Sequence, residues 1–301
     1  MPSSVLVLGG TGMLGTAVTG VLRDGGIDAT VTARDPAELP ADLRHRAVRF
    51  DAVGGDLPTL VAGLGDGDYV VNCIGIIKTY IHDHVADERQ RAIEVNADFP
   101  HRLGRLAREQ GFRVIQIATD CVYSGADGGY PESAAHDALD VYGKSKSLGE
   151  VPGENFLNLR CSIIGPELKG RTSLLEWVLG HEDGTSFSGY TDHIWNGVTA
   201  QAFGRIAAGI IRSGSTLSGT HHVVPSSVLD KATLCRVIVE AYGRDLEVVP
   251  VATGAPIDRS ISTLSPQINA RLWADAGYDG IPSVEQMVHD LVRTPEIGET
   301  T

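Results

Sequence analysis

Apolar residues along this chain form short continuous runs that alternate with longer amphipathic segments. Residues 5–8 (Val-Leu-Val-Leu) are such a run, which is typical of a parallel strand buried on both faces. Residues 13–23 then place Leu14, Val18 and Leu22 on one face of a helix, which two glycines end. Similar patterns predict strands over residues 29–33, 48–50, 69–75, 113–118, 156–160 and 221–224, and helices over residues 87–110, 174–179, 199–211 and 229–242.

A glycine-rich turn with the sequence GGTGMLG joins the first strand to the first helix over residues 9–15. Gly12 would let the main chain approach a pyrophosphate, and Gly15 would let the helix pack closely on the strand. The free N–H groups and the dipole of the helix attract phosphates. A purely structural turn is the alternative. We predict a dinucleotide site formed by this turn and the end of the fourth strand: Gly9, Thr11, Gly12, Met13, Leu14, Cys73, Ile74 and Gly75.

The end of the second strand bears on which dinucleotide binds. Arg34 stands there, where NAD sites usually carry an acid and where a basic residue suits a 2′-phosphate. Asp35 precedes a proline and looks like the start of a turn. We therefore predict NADP(H), with a solvated surface charge as the alternative role of Arg34. Asp51, after the short third strand, could hydrogen-bond the adenine amino group, although a plain turn aspartate is an equal interpretation.

The alternation of strands and helices predicts an α/β fold. We expect a Rossmann-type doubly wound parallel sheet, whose ligands bind at the carboxyl ends of the strands. The chain has 301 residues, which exceeds one compact unit. We therefore predict an NADP-binding Rossmann domain over residues 1–165, to which a helix over residues 198–213 returns. A smaller C-terminal α/β substrate lobe is expected over residues 166–197 and 214–301.

Tyr142 and Lys146 are four residues apart and would face the same way on one helix. The pKa of a free phenol is about 10. A nearby ammonium and a cationic nicotinamide would lower that pKa. Thr119 follows the fifth strand and could hydrogen-bond the same carbonyl oxygen. Together these residues predict an oxidoreductase in which hydride moves at carbon and Tyr142 supplies the proton at oxygen.

Charge and cysteine usage narrow the possible partners. The net charge of −13 argues against nucleic acid and anionic membranes. The four cysteines are scattered without a zinc-binding spacing, so we expect no metal. The first strand begins too early for a signal peptide, and no apolar run approaches the ~20 residues that cross a bilayer. We expect a cytoplasmic protein that acts on a small molecule, and a homodimer stays open.

Taken in order, these motifs resemble the extended short-chain dehydrogenase/reductase superfamily, and within it the dTDP-4-dehydrorhamnose reductases and related sugar-nucleotide 4-ketoreductases. The resemblance covers residues 3–215 and implies a Rossmann fold, NADPH and a catalytic set of Thr119, Tyr142 and Lys146. It implies reduction of a nucleotide-linked 4-keto-6-deoxy sugar. The segments that carry it are GGTGMLG (9–15), VVN (70–72), VN (95–96), TDCVYSG (119–125) and YGKSKSLGE (142–150), extended by LR (159–160) and WNGVT (195–199).

One pair of residues departs from the relatives. Sugar-nucleotide 4,6-dehydratases carry Asp-Glu where this chain has Asp120-Cys121, so we do not expect dehydration. Rhamnose-type reductases usually have an aromatic residue at Cys121, whereas GDP-fucose synthase and related epimerases move a proton with a similar cysteine. If the strand stays extended, the thiol would point the same way as Thr119. An epimerase or epimerase-reductase using Cys121 is therefore an alternative to a buried inert thiol. An NADP-binding regulator is another, since fold does not fix function.

The substrate pocket is expected where the chain leaves the sheet and returns to it. Lys169, Arg171 and Arg259 could each hold a nucleotide diphosphate, although each is also typical of a surface. Trp195 could stack on a sugar or base or lie in the core. Asn96 could bridge backbone groups near the active site or be an ordinary polar helix position. We predict substrate contacts from Lys78, Asn96, Trp195, Asn196 and Arg259.

Overall fold

A computed structural model describes residues 3–170 and 172–293 of the chain. Arg171 and the predicted tail over residues 294–301 lie outside the described residues. The strands are β1 (Val5–Leu8), β2 (Ala29–Ala33), β3 (Ala47–Arg49), β4 (Tyr69–Asn72), β5 (Arg113–Ala118), β6 (Phe156–Arg160), β7 (Ile163–Ile164), β8 (Thr185–Tyr190), β9 (His193–Trp195), β10 (Val198–Thr199), β11 (Gly219–His222), β12 (Leu229–Asp230), β13 (Leu246–Val251) and β14 (Ile257–Asp258). The helices are α1 (Met13–Asp24), α2 (Leu57–Leu60), α3 (Ala86–Ile93), α4 (Phe99–Gln110), α5 (Val141–Leu148), α6 (Leu174–Leu179), α7 (Ala200–Arg212), α8 (Lys231–Ala241), α9 (Pro266–Asp275) and α10 (Val284–Arg293).

The central sheet has seven strands in the order β11-β6-β5-β4-β1-β2-β3, and each neighbouring pair is parallel. The strand order reverses between β1 and β4. In open parallel sheets, ligands bind in the crevice at such a switch point, beyond the carboxyl ends of the strands. The predicted Rossmann-type doubly wound sheet is confirmed.

Helices cover both faces of this sheet because alternate strand residues point to opposite sides. On β1, Val5 and Val7 join a large core that includes α1 and α7. Leu6 and Leu8 join a second core that includes α4. The switch point is thereby held between two packed layers. No helix in the described part of the chain is long and apolar enough to cross a membrane.

The strand at one edge of the central sheet comes from a segment that was predicted to belong to the substrate lobe. The boundary at residue 214 assigns the following segment to the substrate lobe. Instead, β11 pairs in parallel with β6, from Gly219 opposite Leu157 to His222 opposite Arg160. Backbone pairing with an otherwise unpaired edge therefore draws residues 219–222 into the central sheet. The second lobe is built around a three-stranded sheet, β12-β9-β14, and a parallel pair, β13-β8.

Two predicted helices differ in the structure: one is divided and the other begins later. The segment predicted as one helix over residues 87–110 contains a π-helical turn, Glu94–Asp98, between α3 and α4. Such turns are frequent at functional sites. The helix predicted to begin at residue 229 begins at Lys231, because Asp230 caps it by accepting a hydrogen bond from the Thr233 amide at 2.8 Å.

Candidate active site

The glycine turn is shaped to receive an anion. Gly9 has a φ of +85°, which favours glycine, and a side chain at Gly15 would collide with the Gly9 carbonyl oxygen. Gly12 is the N-cap of α1 and supplies no side-chain cap, and the first turn contains no acidic residue. The first amides of α1 therefore lack the usual side-chain acceptor, which leaves them able to bind a phosphate.

A cavity of about 200 Å³ opens beside this turn. It brings together most of the residues predicted to bind the dinucleotide. Met13 and Leu14 do not line it, and the Leu14 side chain is buried in the core. Because the Leu14 side chain lies in the core, only its main-chain groups are available to a phosphate. The lining comprises Gly9, Thr11, Gly12, Thr32, Ala33, Arg34, Phe50, Asp51, Ala52, Cys73, Ile74, Gly75, Ile76, Arg91 and Val95.

At the β2 end of the cavity, the acidic and basic side chains have separate roles. Asp35 caps a short 3₁₀ turn by accepting the Ala37 amide at 3.1 Å. Arg34 is exposed at the cavity, and Arg49 donates to its carbonyl oxygen at 2.9 Å. The end of β2 therefore presents basic side chains rather than a free acid.

Several lining residues were missed by the sequence reasoning. Thr32 accepts the Gly9 amide at 3.1 Å and so fixes the first residue of the turn. Arg91 lies 4.0 Å from one carboxylate oxygen of Asp51. The other carboxylate oxygen of Asp51 accepts a hydrogen bond from the Val53 amide at 2.9 Å. Alternation on β2 could have identified Thr32. No local signal identifies Arg91, because a separate helix brings it to the cavity.

Tyr142 and Lys146 both lie on α5, as their spacing predicts. Asp140 caps this helix by accepting the Gly143 amide at 2.8 Å. Lys146 is buried and donates to the Ile117 carbonyl oxygen at 3.0 Å. Burial lowers the pKa of its amine to about 8. The ammonium lies beside Gly75, so the helix joins the catalytic pair to the dinucleotide cavity.

Thr119 connects this helix to the end of β5. Its hydroxyl oxygen accepts the Cys121 amide at 3.2 Å, and its hydrogen is directed to Asp120 at 3.3 Å. Burial raises the pKa of the Tyr142 phenol, while a hydrogen bond with Thr119 opposes that rise. The pKa of the phenol is raised rather than lowered as expected, because burial is the largest cause. The phenol is therefore held as a proton donor.

Cys121 lies in a 3₁₀ turn, Asp120–Val122, rather than on an extended strand end. The argument that alternation points it the same way as Thr119 is therefore wrong. Burial is the main cause that raises the pKa of its thiol to about 12, and the charge of Asp120 adds to the rise. The thiol is thus protonated at neutral pH, which favours packing over proton transfer.

The predicted substrate residues fall into two groups. The side chains of the first group are buried, and its two asparagines already form hydrogen bonds with the backbone. Asn96 accepts the Ile76 amide at 2.8 Å and donates to the Ile76 carbonyl oxygen at 2.9 Å. Asn196 makes the same pair of bonds with Ile261, at 2.9 and 2.8 Å. Trp195 is 4% exposed and belongs to the core. Of the two roles open for Trp195, its burial favours a core position over stacking on a substrate.

The second group consists of the positively charged side chains. Lys78 pairs at 2.8 Å with Asp140, which stands two residues before Tyr142 in sequence. Arg259 donates through Nε to the Tyr123 carbonyl oxygen at 2.9 Å, and its charge acts on Asp120 and Cys121. Lys169 instead pairs with Glu38 at the cofactor side. Arg171 lies outside the described residues.

Across residues 3–170 and 172–293, no group of three or more His, Cys, Asp and Glu side chains is arranged to hold a metal ion.

Comparison with known proteins shows which family the chain belongs to. Methionine adenosyltransferase 2 subunit beta from Danio rerio is 32% identical over 147 residues, covering 48% of this chain and 42% of that protein. A dTDP-4-dehydrorhamnose reductase from Streptomyces griseus is 32% identical over 146 residues, covering 48% and 43%. The chain therefore matches less than half the length of these two curated relatives.

The fold extends further than these matches. The crystal structure of dTDP-4-dehydrorhamnose reductase from Bacillus anthracis str. Ames, in complex with NADP, superposes with a TM-score of 0.76. The two chains are 18% identical, and the superposition covers 98% of this chain and all of the other. The sequence profile of the RmlD substrate binding domain matches residues 3–164. Since that match spans more than half of its residues, the chain belongs to the RmlD substrate binding domain family.

Proposed function

We propose that the protein is an NADP(H)-dependent reductase of a nucleotide-linked 4-keto-6-deoxy sugar. When bound, the nicotinamide supplies the hydride. Tyr142 supplies the proton at the keto oxygen, and Thr119 orients that oxygen. Lys146 lies where the nicotinamide-side ribose would come and holds positive charge beside it. The substrate would be a small molecule in the cytoplasm, and a homodimer is the proposed assembly.

The observation that carries this proposal is the position of the three side chains. Thr119 is close enough to Tyr142 to oppose the rise in the pKa of its phenol, and Lys146 lies on the same helix as Tyr142. The ammonium approaches Gly75 at the edge of the dinucleotide cavity. A protonated phenol at this place is the arrangement required by carbonyl reduction. The reductases among the relatives support the same reaction.

The direct experiment follows NADPH oxidation with a panel of nucleotide-linked 4-keto sugars. The panel varies the base, the sugar substituents and the configuration of each carbon. We expect turnover with at least one 4-keto-6-deoxyhexose and a single product stereoisomer. If NADPH binds but every sugar of the panel stays unreduced, the proposed reaction is wrong.

The basic end of β2 leads to a prediction about cofactor choice. We expect NADPH to bind more tightly than NADH, because Arg34 lines the cavity at the end of β2, where a basic residue suits a 2′-phosphate, and Asp35 is used as a cap. Arg34→Ala should narrow that difference. Fluorescence titration of both cofactors measures it, with Arg46→Ala as the control, since Arg46 pairs with Asp28 away from the cavity. Equal affinities in the parent protein would exclude this role for Arg34.

Epimerisation through Cys121 is the competing chemistry within this fold. The high pKa of the buried thiol favours simple reduction. In deuterated water we therefore expect no deuterium on the carbons next to the keto group, and we expect Cys121→Ser to retain most of the turnover. Mass spectrometry of recovered substrate and product measures the label. Exchange that occurs in the parent and disappears in Cys121→Ser would instead indicate an epimerase-reductase.

An NADP-binding regulator is the non-enzymatic alternative. The similarity to methionine adenosyltransferase 2 subunit beta gives this alternative a specific basis. A regulator requires the cavity of the Rossmann sheet but has no need for the Thr119, Tyr142 and Lys146 arrangement. Both functions predict dinucleotide binding, so binding alone does not distinguish them. Turnover with a sugar of the panel is expected only of the reductase.

A further inference from the structure

A row of buried polar side chains crosses the face of the central sheet that packs against α4. Asn72 on β4 stands opposite Gln116 on β5, which in turn stands opposite Asn158 on β6. Each of them is 2% exposed or less. The residue two places before each belongs to the core that includes α4, and side chains two apart on a strand share a face. Buried polar groups are hydrogen-bonded in folded proteins, so the partners of this row show what it holds together.

Gln116, in the middle of the row, joins two segments of the backbone. Its Nε2 donates to the Gly149 carbonyl oxygen at 2.7 Å, and its Oε1 accepts a hydrogen bond from the Asn72 side chain at 2.8 Å. The Asn72 oxygen in turn accepts the Ile74 amide at 3.2 Å. A backbone N–H only donates and a carbonyl oxygen only accepts, so the two ends fix the orientation of both side-chain amides. These three hydrogen bonds, from Ile74 to Gly149, form an amide bridge.

One end of the amide bridge lies at the dinucleotide cavity. Residues 73–76, the cofactor loop, all line that cavity. Asn72 is the last residue of β4, and its side chain holds the Ile74 amide within this loop. The amide bridge therefore fixes one wall of the cavity relative to β5.

The other end of the amide bridge holds the helix that carries the proposed proton donor. Gly149 is the C-cap of α5, and a side chain there would collide with the Asn96 carbonyl oxygen, so this end of the helix packs closely on the π-helical turn. Lys146 donates to the carbonyl oxygen of Ile117, the residue after Gln116. Two consecutive residues of β5 thus hold α5, one through its backbone and one through its side chain.

We propose that Gln116 is a positioning residue for the reaction, which holds α5 in register with the cofactor loop. The inference rests on the proposed function, in which the Tyr142 hydroxyl must meet a keto oxygen beside the nicotinamide. Gln116 does not line the cavity, and it acts through Asn72 on one side and Gly149 on the other. A displacement of about 1 Å that arises away from the reacting atoms is able to lower a rate by about 10²-fold.

The first test is Gln116→Met, which keeps the length of the side chain and removes both of its hydrogen bonds. We expect kcat to fall by about 10²-fold while KM for the sugar stays within about 3-fold, because the second lobe is untouched. Asn72→Ala breaks the amide bridge at its cofactor end and should give the same split between kcat and KM. It also serves as the second variant if Gln116→Met does not fold.

Asn158→Leu is the matched control. Asn158 is the neighbour of Gln116 in the same row and is equally buried. It donates instead to the Val151 carbonyl oxygen at 2.9 Å and to the Thr220 hydroxyl at 3.3 Å. This variant removes buried hydrogen bonds but leaves the amide bridge intact. We therefore expect its kcat to stay within about 3-fold of the parent value.

Hydrogen exchange of the protein without cofactor or sugar separates positioning from loss of stability. Gln116→Met and Asn158→Leu both weaken the sheet, so both should speed exchange in β1 to a similar extent. Gln116→Met alone should also speed exchange in peptides that cover residues 73–76 and 145–149, at the two ends of the amide bridge. Mass spectrometry of these peptides measures the rates.

The exchange measurement needs no substrate, so it tests the amide bridge separately from the reaction. A parent protein that reduces no sugar contradicts the proposed function, whereas exchange that differs at neither segment between Gln116→Met and Asn158→Leu contradicts the amide bridge. If Gln116→Met lowers kcat no more than Asn158→Leu does, Gln116 only stabilises the sheet and its positioning role is wrong. Near-parental kcat in Asn72→Ala also overturns it.

Discussion

Replacement of Tyr142 by Phe should lower kcat by about 10²–10⁴-fold, the usual contribution of a general acid. The change removes the hydroxyl of the proposed proton donor, whose pKa is raised by burial, so that the group stays protonated at neutral pH. The proton would then have to come from water. NADPH affinity should remain near that of the parent, because the cavity beside the glycine turn is unchanged.

Single-turnover oxidation of NADPH measures the loss at the chemical step. Tyr190→Phe, at an exposed tyrosine on β8, is the matched control and should behave like the parent. Lys146→Ala should reduce both turnover and cofactor affinity, since its ammonium lies next to Gly75. If Tyr142→Phe kept near-parental turnover, the proton would have another source and the proposed mechanism would be rejected.

The part of the fold set by local patterns was predictable. The strand, glycine turn and helix over residues 5–24 follow from a continuous apolar run, steric freedom and helical spacing. The i, i+4 spacing likewise places Tyr142 and Lys146 on one helix. Each of these features depends on residues close together in the sequence.

Features assembled from distant segments were not predictable in this way. Lys231 and Trp195 are brought together by the pairing of β12 with β9, so neither segment carries a local signal of the contact between them. The placement of β11 depends on an open edge at β6 rather than on its own four residues. Trp195 was ambiguous for a related reason: only the packing of the second lobe decides which side of β9 is buried.

A buried ion pair leads to the largest expected effect on stability. Arg160, on β6, donates to both oxygens of Glu150 at 2.9 and 2.6 Å, with side-chain exposures of 2% and 10%. The same guanidinium donates to the Tyr123 hydroxyl at 2.6 Å and contacts two histidine rings. This network joins the segment after α5 to the sheet, and so supports the helix that carries Tyr142.

Arg160→Met should lower the free energy of unfolding by about 3–5 kcal/mol, because it leaves the Glu150 carboxylate buried without its partner. Urea denaturation followed by circular dichroism measures the loss. Arg23→Met provides the contrast: Arg23 and Asp42 are 43% and 51% exposed, and such pairs contribute about 0–1 kcal/mol. The double variant Arg160→Met/Glu150→Leu should recover part of the loss, since no charge of the pair then stays buried. If Arg160→Met lowered the free energy of unfolding no more than Arg23→Met does, the network would be dispensable for stability. The rigidity of α5 would then have to come from its apolar contacts.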